Sequence, residues 1–134
     1  MTPVRHSSNR LDSFRHAFAG CWYVLRTQRN AWIHAAISLM VIGVGLWLRL
    51  TPAEWAVIVL AMGGVWASEF INTALEAVVD LASPDIHPLA KAGKDVAAGA
   101  VLVGAGTAVV VGLLILGPPL LARLWPFVVH WWHP

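Results

Sequence analysis

Three carboxylates, Glu69, Glu76 and Asp80, recur along one stretch with Asn72 and Thr73 between them. The spacing of three, four, seven and eleven residues from Glu69 puts all five on one face of a helix. Lys94 and Asp95 follow a short loop later. Hard oxygen ligands, a mobile ammonium and a desolvated carboxylate are what a phosphate-handling site needs: ligands for a divalent cation, a positive group for the phosphoryl being moved, and a base for the acceptor. Glu76 and Asp80 suit Mg²⁺ held together with nucleotide phosphates, and Lys94 suits the phosphoryl. Asp95 opens a helix, where it can cap backbone N–H groups or contact a nucleotide. Glu69 is the candidate to accept a proton from an alcohol. The same stripe is also compatible with a buried polar seam that only specifies how helices associate; the Lys-Asp pair beside it favours chemistry.

The elements that must position these groups are membrane helices. Of 134 residues, 58% are hydrophobic and 12% charged, with a mean hydropathy of +0.69; a soluble domain carries about twice that charge. Apolar runs over about 31–50, 55–80 and 95–117 predict three spans, each long enough for a hydrocarbon core of about 30 Å. Counting about 1.5 Å per residue from Trp55, Glu69 lies roughly 21 Å and Glu76 roughly 31 Å along the second span. Glu76 thus sits at one boundary and Glu69 roughly 10 Å beneath it. Ionisable groups at such depth are rare and usually functional. A water-borne donor above and a lipid-borne acceptor below would give that depth difference a meaning.

Residues 11–28 repeat Leu11, Phe14, Phe18, Cys21, Trp22 and Leu25 at steps of three and four, with Arg15 and Arg26 elsewhere. That pattern predicts an amphipathic helix on the membrane surface, which periodicity alone leaves as an anchor or a working part. Residues 1–10 read as a frayed polar segment with no signal-peptide pattern. Thr51 and Pro52 predict the start of the second span, and the loop 82–88, with Pro84 and Pro88, its end. Pro118-Pro119 predict a stop for the third, leaving 118–134 as an aromatic tail in the outer interface. Five of the nine basic residues precede the first span, and Lys91 and Lys94 lie between the second and third. The positive-inside rule therefore places the N-terminus and the 81–95 loop in the cytoplasm. His34, one turn into the first span, reads as a hydrogen-bonded interface residue more readily than as a ligand. The single Cys21 excludes an internal disulfide, and there is no GxxxxGK[ST] phosphate loop.

The run Glu69-Phe70-Ile71-Asn72-Thr73-Ala74-Leu75-Glu76-Ala77-Val78-Val79-Asp80, followed by His87-Pro88-Leu89-Ala90-Lys91 and by Lys94-Asp95-Val96-Ala97-Ala98-Gly99, resembles the signature of the prokaryotic diacylglycerol kinase and undecaprenol kinase family. Weaker likeness at Ser13-Phe14, Ala17-Phe18, Gly20, Arg29-Asn30 and Ile33-His34 extends it over about 13–115. The resemblance implies an all-α membrane protein, an N-terminal amphipathic surface helix plus three transmembrane helices, acting as an ATP- and Mg²⁺-dependent kinase on a lipid hydroxyl in the bacterial cytoplasmic membrane. It implies homotrimers with active sites shared between subunits, and no nucleic-acid partner.

By position, the likeness makes Glu69 the general base and Asn72 its support. Glu76 becomes a metal ligand, and Lys94 and Asp95 bind the nucleotide, with Asp80, Asp85, Ile86, His87 and His16 along the ATP site. Ala98, Ser13 and Asn30 join Glu69 at the lipid site. One position departs: where diacylglycerol-type members carry a glutamate metal ligand, this chain has Gln28, an amide that can coordinate Mg²⁺ with less charge. The wording His87-Pro88-Leu89-Ala90-Lys91 with Arg29-Asn30 and Ile33-His34 is closer to the undecaprenol branch, with diacylglycerol the alternative substrate. A small multidrug-type transporter would need four spans and usually one isolated carboxylate; a non-catalytic assembly protein is the remaining alternative.

Overall fold

In the computed structural model, backbone is described for residues 9–132 and side chains for 9–126. The polar segment 1–8 and the side chains of Phe127, Trp131 and Trp132 lie outside the described residues. Four helices follow one another: α1 (Arg10–Thr27), α2 (Arg29–Leu48), α3 (Pro52–Ala82) and α4 (Pro88–Trp132). The last three are long and apolar enough to cross a membrane, and no strand occurs among the described residues. The chain is an all-α, multi-pass membrane protein.

Local chemistry accounts for the helix ends. Asn9 caps α1, its Oδ1 accepting from Leu11 N–H at 3.3 Å. One extended residue, Gln28, separates α1 from α2. The α2–α3 turn needs Arg49 in the left-handed region at φ 59°, closing α2 with its N–H on Gly45 and Leu46 carbonyls. Thr51 and Glu54 then form a reciprocal capping box on α3 with Pro52 in the first turn, satisfying N–H groups that a helix start leaves free.

The core is a thin seam. Along α3 the buried residues are Ile58, Val65, Glu69, Asn72 and Thr73, one face that changes from apolar to polar at Glu69. Helix α4 packs mainly along α3 and contributes Ala97 and Val101 to the seam. A Cβ at Gly104 would lie 3.1 Å from Ser68 Oγ and 3.8 Å from the Gly64 carbonyl. Such small residues let membrane helices approach closely without a hydrophobic driving force between them. At the far end, Gly45 makes room for the Trp55 indole, whose Cη2 would stand 2.8 Å from an added Cβ.

Two features differ from the sequence expectation. Helix α4 begins at Pro88, and it continues through Pro118 and Pro119, where a stop was expected. Beyond them Arg123 reaches back to α2: Nη1 donates to the Trp47 carbonyl at 3.0 Å, and the guanidinium lies 5.2 Å from the centre of the Trp47 ring. That carbonyl is among the last four of α2, which have no partner in their own helix, and the cation complements the helix dipole. On α1, Leu11, Phe14, Phe18 and Trp22 are exposed, an apolar stripe suited to lying on lipid.

Candidate functional site

The largest fully buried side chain among the described residues is an acid, Glu69, at 1% exposure. Glu76, two turns along the same face, is half-buried and Asp80 is exposed. The carboxylate row thus turns into the seam at Glu69 and emerges from it step by step toward Asp80.

Glu76 is the hub of the middle level. Asn72 Nδ2 donates to its Oε1 at 3.2 Å, and Gln28 Nε2 donates to its Oε2 at 3.1 Å from the α1–α2 elbow. Gln28 reaches α3 because it is the single extended residue between two helices, which aims its side chain across the gap. Asn72 spends its amide N–H on Glu76 rather than on Glu69, and its Oδ1 is buried without a hydrogen-bond partner. Both amides present N–H to the carboxylate as they stand, and each also carries an oxygen, so the group comprises one carboxylate and two amides. No group of three or more His, Cys, Asp or Glu forms a metal cage among the described residues. An ion that brings most of its ligands as water and substrate phosphates, as Mg²⁺ does, fits such a set.

One level further out, Lys94 Nζ donates to Asp80 Oδ1 at 2.9 Å, joining α4 to α3. The neighbouring Asp95 points elsewhere and pairs with Lys91 on its own helix. Lys94 and Asp95 nonetheless border one shallow depression of about 370 Å³, together with Asp80, Asp85, Ile86 and His87. His87 also caps α4, its Nδ1 accepting from Leu89 N–H at 3.2 Å. A second depression, about 560 Å³ and apolar, runs between α1 and α3, bordered by Ala17, Cys21, Val24, Phe70 and Ala77 among others.

The structure thus gathers Gln28, Asn72 and Glu76 at one level, and Asp80, Asp85, Ile86, His87, Lys94 and Asp95 at the next. It does not bring in His16 or Ser13, which stand exposed on α1, nor Asn30, exposed at the start of α2. Ala98 is exposed while its neighbour Ala97 is buried in the seam.

At the deepest level the structure adds His34, whose place one turn into the first span predicts only a hydrogen-bonded interface residue. Its Nε2 lies 3.9 Å from Glu69 Oε2. The signal available beforehand was weak: two ionisable groups in different spans, each a few residues in from the same boundary.

The family model described as prokaryotic diacylglycerol kinase matches residues 15–116. The undecaprenol kinase of Bacillus subtilis (strain 168) is 46% identical over 117 residues, covering 87% of this chain and 95% of the relative. The diacylglycerol kinase of Synechocystis sp. is 48% identical over 117 residues, covering 87% of this chain and 67% of its own. That of Escherichia coli (strain K12) is 26% identical over 116 residues, covering 81% and 95%.

Proposed function

Since this chain belongs to the prokaryotic diacylglycerol kinase family, we propose that it is the lipid kinase that moves the γ-phosphoryl group of ATP to the hydroxyl of undecaprenol, with diacylglycerol the second candidate acceptor. The observation that carries the reading is the graded burial of one helical face: Glu69 fully buried, Glu76 half-buried and Asp80 exposed. Undecaprenol is placed first because the Bacillus subtilis undecaprenol kinase joins 46% identity to coverage of 95% of its length, whereas the diacylglycerol kinases reach 48% identity over 67% of the Synechocystis protein or 26% over 95% of the Escherichia coli one.

The nucleotide enters from the aqueous side into the depression bordered by residues 85–87, with Lys94 drawn beside the phosphates by Asp80. Glu76, with the Gln28 and Asn72 amide oxygens turned toward it, would hold Mg²⁺, which when bound offsets the charge on the phosphate oxygens. An amide group can present oxygen in place of N–H by a half-turn about its last bond. Glu69 takes the proton of the lipid hydroxyl, whose oxygen bonds to the γ-phosphorus as the bond from that phosphorus to the β,γ-bridging oxygen breaks and ADP leaves. The seam around Glu69 excludes water, so the phosphoryl group meets the alcohol rather than a hydroxide.

The same reading puts the N-terminus and the 83–87 loop on the cytoplasmic face, in agreement with the basic residues there. It also makes the working form a homotrimer. Ala98, Ser13 and Asn30 are exposed on a single chain, so a neighbouring subunit or the lipid must meet them if they serve the site. Purified protein in lipid, supplied with labelled ATP, Mg²⁺ and either undecaprenol or diacylglycerol, tests the assignment. Undecaprenyl phosphate as the faster product is expected; faster phosphatidic acid formation reverses the order, and no product from either alcohol removes the kinase reading. Cross-linking in native membranes that stops at dimers would remove the trimer.

A further inference from the structure

At the deepest level of the site a fully buried carboxylate and the enclosed Nε2 of the half-buried His34 ring lack hydrogen-bond partners, and they face each other. Both carboxylate oxygens of Glu69 and the Nε2 of His34 are inaccessible to water and make no hydrogen bond. Leaving such groups unpaired in an apolar interior is costly, so the arrangement is incomplete until something joins it. The other donors near Glu69 are committed elsewhere. Asn72 Nδ2 serves Glu76, and Thr73 Oγ1 donates to the backbone carbonyl of Glu69 at 2.9 Å. His34 is what remains within reach, 3.9 Å from Oε2 and about 1 Å beyond hydrogen-bond distance.

The imidazole is held in place from the side. The Trp66 ring meets it edge-on with centroids 6.3 Å apart, and Trp66 Nε1 donates to Ser38 Oγ at 3.3 Å. Ser38 lies one turn along α2 from His34, so this bond ties α2 to α3 at the level of Glu69.

Resting on the reading of Glu69 as the base, we infer that His34 is its positioning residue: it donates its Nε2–H to one carboxylate oxygen when the lipid alcohol docks, which aims the other oxygen at the hydroxyl. His34 keeps its own proton throughout. The hydroxyl proton ends on Glu69, and the bonds made and broken at phosphorus are those given above. A carboxylate displaced by about 1 Å from its acceptor can lose about 100-fold in rate, which sets the effect of losing this contact.

The test uses the full chain in lipid with Mg-ATP and the preferred alcohol, and three variants. His34→Ala is expected to lower kcat by about 100-fold while both KM values stay within about threefold. His34→Gln, whose amide N–H extends to nearly the same point, is expected to recover at least about tenfold of that loss. In ¹⁵N-histidine spectra, the His34 Nε2 resonance of substrate-loaded protein is expected to move on Glu69→Gln. An unaltered kcat in His34→Ala, a His34→Gln variant no better than the alanine, or a resonance indifferent to Glu69→Gln overturns the inference. If His34→Ala does not fold, the glutamine variant and the spectra decide. Loss of turnover in Glu69→Gln with full turnover in His34→Ala leaves the base reading standing and ends this one; full turnover in Glu69→Gln ends the base reading itself.

Discussion

Replacing Gln28 by glutamate tests whether the α1–α2 elbow and α3 share a metal site. In the wild-type structure the Gln28 amide donates to Glu76 Oε2 at 3.1 Å. Gln28→Glu exchanges that bond for a second carboxylate at the same separation. Two full charges there would repel by about 5 kcal/mol at an effective dielectric near 20. Both residues are half-exposed and each charge is spread over two oxygens, so a net cost of about 1–2 kcal/mol without metal is the figure to expect. With Mg²⁺ the sign reverses, because two carboxylates now flank the cation. The variant should melt earlier than wild type in EDTA and later in excess Mg²⁺. Its turnover should reach half-maximum at a Mg²⁺ concentration at least about tenfold lower, since about 1.4 kcal/mol corresponds to a factor of ten. Thermal melts in detergent and a Mg²⁺ titration of kinase activity measure both. Unmoved melting in EDTA together with an unmoved Mg²⁺ midpoint would refute a metal site shared by Gln28 and Glu76.

Lys94→Met removes the ammonium paired with Asp80 and should raise KM for Mg-ATP by about 10- to 100-fold, the range for losing a charged hydrogen bond; initial rates against ATP concentration show it, and an unchanged KM takes Lys94 out of the nucleotide site. Gly45→Ala drives a Cβ to 2.8 Å from the Trp55 ring and should destabilise the α2–α3 corner by about 1–3 kcal/mol, read as a lower melting temperature. Thr51→Val deletes the hydroxyl half of the capping box and should lower stability by about 1 kcal/mol with kcat unaffected.

The helix periods were legible because they are local. Alternation of three and four residues, with Thr51 and Pro52 at a start and Pro84 and Pro88 around a loop, specifies where helices lie without reference to any partner. The same periodicity put Glu69, Glu76 and Asp80 on one face. Helix α4 was harder to read. Its stretch from Val96 to Gly106 is apolar on every side and rich in small residues, so nothing marks Ala97 rather than Ala98 as the inward residue. The prolines at 118 and 119 read as a stop because the tie that accompanies helix beyond them, Arg123 to Trp47, spans 76 positions of sequence.

By itself the sequence determined the membrane class, the three spans, the surface helix and the row of acids along one face; each is a property of a single segment and its solvent. Only the tertiary structure decided which groups meet that row. Gln28 reaches Glu76 across 48 positions, Lys94 turns to Asp80 while Asp95 turns away, and His34 comes to stand opposite Glu69. A helix's period fixes which residues share its face, whereas the neighbour it turns that face toward depends on how the helices rotate and pack, and no single segment carries that information.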